Sequence, residues 1–405
     1  LDWLNSGKLP PSLLWMAHWH HLRSIPLSAG AALAVHVSGV GGGSPVPPWG
    51  CSFHANSKSR SAAGAGGSSF RPPWSVQCEA SAAPRASHVA VVGDIFVDVM
   101  AKVNGLPAWD SDTEAEYVKV LPGGSALNQG RHLHALGHSV RFFGAIGADA
   151  FGNMLVTHVA GQGFPTDTIK VFPNLPSSVC LVLAGGDDRA FVSCYSTTDA
   201  YSTEDVKAVA GKLEECGHLH IGGYFNLKGL QNPDFTEFVL NCRKRKITIS
   251  LNTQFDAADD WTGANRHLGE LLPLVDLLIV NRTEAERLAR ALLEDTGPGA
   301  LCRAFPRLIV VVTKGSEGAE VFRKGQPPLD VPSEPAERVV DATGAGDAFL
   351  AGFLHVWLEQ PRRLGCAADA ETLKAACNMG HRVARVCLGR DGACVDPVRP
   401  TDLEE

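Results

Sequence analysis

From Ser87 onward the chain alternates two patterns. Short continuous apolar runs recur at "HVAVVGD" (88–94), "VRFFGAIG" (140–147), "HLHIGGY" (218–224), "KITISLN" (246–252), "VDLLIVN" (275–281) and "LIVVVTKG" (308–315). Runs of this length, broken by Gly, Asn or Asp, predict strands buried on both faces. Between them lie stretches with helical spacing. "SALNQGRHLHALG" (125–137) places Leu127, Leu133 and Leu136 among small residues and closes at Gly137, so it predicts a helix with a glycine stop. Strands alternating with helices predict an α/β domain with a mostly parallel central sheet flanked by helices. Two segments break the layout. "AEYVKVLPGG" (115–124) alternates polar and apolar, and "VCLVLAGGDDRAFVSCY" (179–195) is two β-rich runs about a "GGDDR" turn. They predict a hairpin and a small separate β-sheet lid, with strands near 95–125 and 179–195.

The first 86 residues have neither period. Their only acids are Asp2 and Glu79, while Arg23, Lys58, Arg60, Arg71 and Arg85 stand among Ser, Ala, Gly and Pro. Nothing there buries a face, so residues 1–86 are expected to be disordered. Acid-poor, Ser-rich, Arg-containing composition is the signature of an organelle transit peptide. Met16 reads as a translation start and Cys78 as lying near a processing site, which places residues 87–405 in the plastid stroma, with cytosol or mitochondrion as the alternatives.

Composition narrows the classes. Of 405 residues, 45% are hydrophobic and 20% charged, enough for a large buried core. A formal net charge of −7 offers no basic surface, so nucleic acid is not an expected partner. No apolar run is long enough to cross a bilayer. Eleven scattered cysteines form no Cys-x-x-Cys pair, which fits free thiols rather than a disulfide framework or a zinc site. Among fifteen histidines, His132, His134 and His138 crowd one segment without sharing a ligand face. Trp109 and Trp261 are expected to pack in the interior, and Lys314 to point to solvent.

In open α/β sheets ligands bind beyond the carboxyl ends of the strands, and the polar clusters fall there. Asp94 and Asp98 follow the first run, Asn252 another, Asn281 and Glu284 the next. Thr313, Lys314 and Gly315 follow "LIVVV", and Asp341 to Asp347 follow "RVV". The last cluster, "DATGAGDAFLAGF" (341–353), is a loop running into a helix N-terminus. Such a terminus leaves N–H groups unpaired and carries partial positive charge. Gly344 and Gly346 let that backbone approach an anion. Asp347 there could be only a helix cap, worth about 1 kcal/mol. It could equally accept a proton from a hydroxyl that attacks a phosphoryl group held on the loop.

These stretches carry a resemblance. "DATGAGDAFLAGF" resembles the second signature of the ribokinase-like, or PfkB, carbohydrate kinases. "GGSALNQGRHLHALG" with "FFGAIGADAFG" (142–152) is similar to their first signature. "NRTEAE" (281–286) and "VTKGSEGA" (312–319) are similar to the family's Asn-x-x-Glu element and nucleotide loop. The resemblance spans residues 88 to about 400. It implies a ribokinase-like three-layer domain plus lid, and ATP-dependent phosphorylation of a hydroxyl on a sugar or nucleoside. By it, Asp347 is the base, and the N–H groups of Gly344, Ala345 and Gly346 form the anion hole. Asp98, Gly123, Gly124 and Asn128 hold substrate. Asn281 and Glu284 position Mg²⁺, Glu284 through water. Thr313, Gly315 and Asn378 meet ATP. Asp341, with the stretch around Gly392, resembles a site for a monovalent cation such as K⁺. A homodimer through the lid is a further expectation.

The bland readings are a turn for Gly123 and Gly124, a bridging amide for Asn128 and a buried amide for Asn378. The pattern also departs from the best-known members. Phe96 stands where ribokinases have Asn, Ser125 where they favour Lys, and Asn252 where many sugar kinases place an acidic segment. Fewer polar contacts to a free pentose are thus expected. The alternatives are a nucleoside kinase of the same fold and a non-catalytic plastid scaffold. The intact Asp347, Gly344, Gly346, Asn281 and Glu284 weigh against the scaffold. A dinucleotide-binding protein is disfavoured because no Gly-x-Gly-x-x-Gly follows the first strand.

Overall fold

The computed structural model describes residues 88–404, apart from 186–187, 214, 361–367 and 391–395. The expectation for residues 1–86 lies outside the described residues, and so does Gly392.

The chain runs β1 (His88–Gly93), β2 (Phe96–Val103), β3 (Ala115–Gly123), α1 (Ser125–Ala135), β4 (Ser139–Gly147), α2 (Ala150–Gly161), β5 (Ile169–Phe172), β6 (Val179–Gly185) and β7 (Asp188–Cys194). It continues through α3 (Ser196–Ala200), α4 (Thr203–Ala208), β8 (His218–Gly222), α5 (Pro233–Lys244), β9 (Thr248–Leu251), α6 (His267–Leu271), β10 (Leu277–Asn281), α7 (Arg282–Leu293) and α8 (Gly299–Ala304). The last elements are β11 (Ile309–Thr313), β12 (Ala319–Phe322), β13 (Leu329–Val331), α9 (Ala345–Glu359) and α10 (Ala370–Leu388).

Nine strands form the main sheet in the order β13-β12-β11-β10-β9-β8-β1-β4-β5. β5 through β11 in that order pair in parallel, and only β12 and β13 are antiparallel. The continuous apolar runs have the expected cause, because both faces are covered. Val89, Val91, Ile279 and Val311 join one core with residues of α1, α9 and α10, such as Leu127, Phe353 and Leu373. Ala90, Val92, Val280 and Val312 join the other with residues of α5, α7 and α8, such as Phe235, Leu288 and Leu301. Each large side chain buried in these layers contributes about 1.5–3 kcal/mol. The expected three-layer domain is therefore the observed one.

The predicted lid is a separate four-stranded sheet, ordered β3-β2-β6-β7. Its alternation sends Phe96, Asp98, Cys180, Arg189, Phe191 and Ser193 to the inner face, over the carboxyl ends of the main strands. The opposite face exposes Val118, Val120, Leu181 and Val192.

Two expectations about single residues need correction. Trp261 is buried against Phe225 and Phe255, as expected, but Trp109 is fully exposed (101%), in the stretch between β2 and β3. Among the described residues, no element covers this indole. Lys314 does not point to solvent. Its side chain is 13% exposed and pairs with Asp330 on β13, the edge strand next to its own hairpin.

Chain order explains where the site must lie. After β1 the chain builds β4 and β5 on one side, then returns to add β8 and its successors on the other. Such a reversal leaves a crevice at the carboxyl end of the first strand.

Candidate active site

A cavity of about 480 Å³ opens at that crevice, under the lid. Its floor comes from strand ends and from the N-termini of α1, α7 and α9. Asp94 follows β1 and is buried. It accepts from the Ala126 N–H at 2.7 Å, from Ser125 Oγ at 3.2 Å and from Asn226 Nδ2 at 2.8 Å. Asp94 thus caps α1, where Gly124 offers no side chain. Burial still raises its pKa above the usual carboxylate range.

Asp347 sits in the first turn of α9 and is buried. Its Oδ1 accepts from Gln129 Nε2 at 2.8 Å and its Oδ2 from Asn128 Nδ2 at 3.3 Å, both donors on α1. Burial pushes its pKa up to about 8, opposed by these two hydrogen bonds and reinforced by Asp94 and Asp98. A carboxyl poised near neutral pH suits a proton acceptor. The Oδ1 of Asn128 is buried and without a hydrogen-bond partner. Buried acceptors are rarely left so, and this one belongs to a residue lining the cavity.

The loop before α9 has the geometry of an anion cradle. Gly344, the N-cap, has φ +77° and no side-chain cap, a backbone that only glycine adopts freely. A Cβ at Gly346 would meet nothing within 4 Å, so the space beside that backbone is open. From the lid, Arg189 Nη1 donates to Thr343 Oγ1 at 2.7 Å and lies 3.8 Å from Asp341 Oδ1. A guanidinium therefore stands over the same loop, an arrangement suited to phosphate oxygens.

Asn281 and Glu284 form a reciprocal cap on α7. Asn281 Oδ1 accepts from the Glu284 N–H at 2.8 Å, while Glu284 accepts from the Asn281 N–H at 3.1 Å and from its Nδ2 at 2.8 Å. Burial raises the Glu284 pKa to about 7. With both its oxygens already engaged, Glu284 fits a role on the waters of a divalent cation better than direct ligation. Asp98, on the lid, is raised to about 7 by burial, with Asp94 adding to the effect.

The cavity gathers Asp98, Gly124, Asn128, Asn281, Glu284, Thr313, Gly344, Gly346 and Asp347 from the sequence-predicted residues. Gly123 lies just behind it: a Cβ there would come within 2.2 Å of the Asp98 carboxyl. Asn378 is exposed on α10 and is not among the lining residues, and neither are Gly315 and Ala345. Asp341 Oδ1 accepts from the Thr343 N–H at 2.8 Å, and a monovalent cation would compete there with Arg189. Sequence reasoning did not single out Gln129 or Arg189. Gln129 lay one residue past Asn128 inside the first signature. Arg189 lay in a "GGDDR" stretch that reads as a turn.

The profile described as pfkB family carbohydrate kinase matches residues 86–400. A ribokinase of Arabidopsis thaliana is 26% identical over 72% of this chain and 76% of its own length. An adenosine kinase 2 of the same plant is 22% identical over 77% of this chain and 93% of its own length. Among solved structures, a ribokinase from Giardia lamblia superposes with a TM-score of 0.68 at 19% identity, covering 79% of this chain and 98% of the other.

Proposed function

Because this chain belongs to the pfkB family of carbohydrate kinases, we propose that it transfers the γ-phosphoryl group of ATP to a hydroxyl of a sugar or sugar-containing small molecule. The observation that carries the proposal is Asp347, held at the glycine-flanked start of α9 with both oxygens fixed by Gln129 and Asn128. In this reading the substrate lies between Asp98 on the lid and Asn128 on the floor, where the unpaired Asn128 Oδ1 accepts from a second hydroxyl. Asp347 takes the proton of the attacking hydroxyl. The backbone of Gly344, Ala345 and Gly346 and the guanidinium of Arg189 bear on the phosphoryl oxygens as charge builds there. Asn281 and Glu284 would hold Mg²⁺ through water, the ion neutralising phosphate charge when bound. Closure of the lid excludes water, the competing acceptor.

A second reading, a nucleoside kinase, is favoured by the aromatic side of the cavity. Phe96 packs edge-on against Tyr195 at 5.7 Å between ring centroids, and Phe191 adds a half-exposed ring from the lid. Such surfaces suit a base as well as an apolar sugar substituent. The exposed outer face of the lid supports a homodimer through that sheet. For residues 1–86 a plastid transit role remains the reading of their composition, and a reporter carrying residues 16–86 that stayed in the cytosol would remove it.

The test of function is a panel of sugars, sugar phosphates and nucleosides incubated with labelled ATP and Mg²⁺. Phosphorylation of one class by the wild-type chain, lost in Asp347→Asn, is the expected result. Turnover of every class at the rate of buffer alone would sink the proposal.

A further inference from the structure

Two central strands, β8 beside β1 and β9 beside β8, carry polar side chains where a doubly covered sheet should be apolar. His218 and His220 on β8 are 1% and 0% exposed, and Ser250 on β9 is 0% exposed. Their register explains how they survive there: His218 pairs with Thr248 and His220 with Ser250 across the two strands. The contacts form one unbroken line. Thr248 Oγ1 lies 2.7 Å from His218 Nδ1, and His218 Nε2 lies 2.8 Å from Ser250 Oγ. Ser250 Oγ lies 2.7 Å from His220 Nδ1, and His220 Nε2 lies 2.7 Å from Gln129 Oε1. Gln129 Nε2 then donates to Asp347 Oδ1.

The direction of every bond follows from one fixed acceptor. The backbone carbonyl of Ile279 can only accept, so Asn252 Nδ2 donates to it, at 2.8 Å. Asn252 Oδ1 therefore faces Gln129 Nε2, at 3.2 Å, and must accept. Gln129 thus presents its NH₂ to Asn252 and Asp347 and its oxygen to His220. His220 Nε2 must carry a hydrogen, which leaves Nδ1 to accept from the Ser250 hydroxyl. Ser250, its one hydrogen spent, accepts from His218 Nε2–H, and His218 Nδ1 accepts from Thr248 at 2.7 Å, closer than that hydroxyl's other acceptor, the Gly217 carbonyl at 3.3 Å. Burial holds both rings neutral, their pKa values lowered to about 3, as this pattern requires.

We infer that His220, backed by Ser250, His218 and Thr248, is a positioning residue for phosphoryl transfer: together with Asn252 Oδ1 on the other side, it holds the amide of Gln129 so that its NH₂, and never its carbonyl, faces Asp347. Each donor in the line points toward that carboxylate, and such chains polarise one another. A flipped Gln129 would set a carbonyl oxygen against Asp347 and keep its proton on. The inference rests on Asp347 being the proton acceptor. The titratable groups facing Asp347 are Asp94 and Asp98, and those facing the line are the two rings themselves and His138.

Two measurements test this. The first is ¹⁵N NMR of the imidazoles in the full wild-type chain between about pH 6 and pH 8, around the ordinary histidine pKa. Both rings should be neutral Nε2–H tautomers; an Nδ1–H form or an imidazolium at His220 overturns the assignment. This readout needs no turnover, so it stands apart from failure of the kinase reading. The second compares His220→Gln, which keeps an amide donor near the Nε2 position, with His220→Met, which has none. In His220→Met, kcat should fall about tenfold, the worth of the one buried hydrogen bond to Gln129 that is lost. The acid limb of its kcat–pH profile should move to higher pH, with KM for ATP unchanged. His220→Gln should recover most of the loss. Identical kinetics in the two folded variants would refute the inference; if neither folds, the tautomers decide.

Discussion

Replacing Gly346 by valine separates a phosphoryl cradle from an ordinary turn. Gly346 lies in the first turn of α9, and a Cβ built there meets no atom within 4 Å. The fold therefore has room for the side chain. Helix propensity favours valine over glycine by a few tenths of a kcal/mol, so stability should stay within about 0.5 kcal/mol of wild type. Gly344 is the contrast. At φ +77° a branched residue is strained by about 1–2 kcal/mol, and Gly344→Val should lose stability as well as activity. At Gly346 the open space is what a phosphoryl group would use. Filling it should cost about 3 kcal/mol of transition-state stabilisation, the worth of one oxyanion donor, or roughly 10²-fold in kcat. The assay pairs thermal unfolding of the free protein with steady-state kinetics on the best substrate of the panel. An unchanged melting temperature with a kcat within twofold of wild type would refute the cradle and leave the loop a turn.

Four further outcomes follow from the same geometry. Asp347 must lose its proton to act, so kcat/KM should rise with pH to a plateau above about 8 and steepen below about 7, where Asp98 also protonates; a profile flat from about pH 6 to 9 would contradict it. The same raised pKa makes ligand-free folding less favourable as pH climbs from near 4 through about 8. Asp347→Asn should then gain melting temperature relative to wild type as pH rises over that window, and a gap independent of pH would count against a buried, protonated Asp347. Arg189→Met should lower kcat by about tenfold or more through loss of a charge-assisted contact to phosphate, and wild-type kcat would remove Arg189 from the site. Substrate should protect residues 95–125 and 179–195 from hydrogen exchange more than ATP alone does, and indifference of both segments would make the small sheet a static edge.

The legible parts of the site were those built from one contiguous stretch. A glycine-flanked acid before an apolar helix can be read without knowing any partner, and Asn281 with Glu284 stands out as a polar pair directly after an apolar run. The alternating 115–124 segment foretold a sheet with one open face, and that sheet is there. The hidden parts are set by pairing across the fold. "HLHIG" reads as a strand, yet its two histidines are tolerable in the core only because β9 brings Thr248 and Ser250 opposite them. Gln129 looks like any polar residue of a helix until α9 sets Asp347 against it. Arg189 reads as part of a turn, and its reach to Thr343 depends on how the lid sits over α9. Trp109 shows the converse error, since hydrophobicity alone promised burial that no element among the described residues supplies.

The most direct test is single-turnover phosphoryl transfer by Asp347→Asn, with ATP affinity measured on the same preparation. The isosteric amide keeps the shape of the site and cannot take the proton. Transfer should slow by roughly 10² to 10⁴, the usual worth of a general base, with ATP affinity unchanged. Transfer at the wild-type rate in a folded Asp347→Asn variant would contradict the role given to this carboxylate.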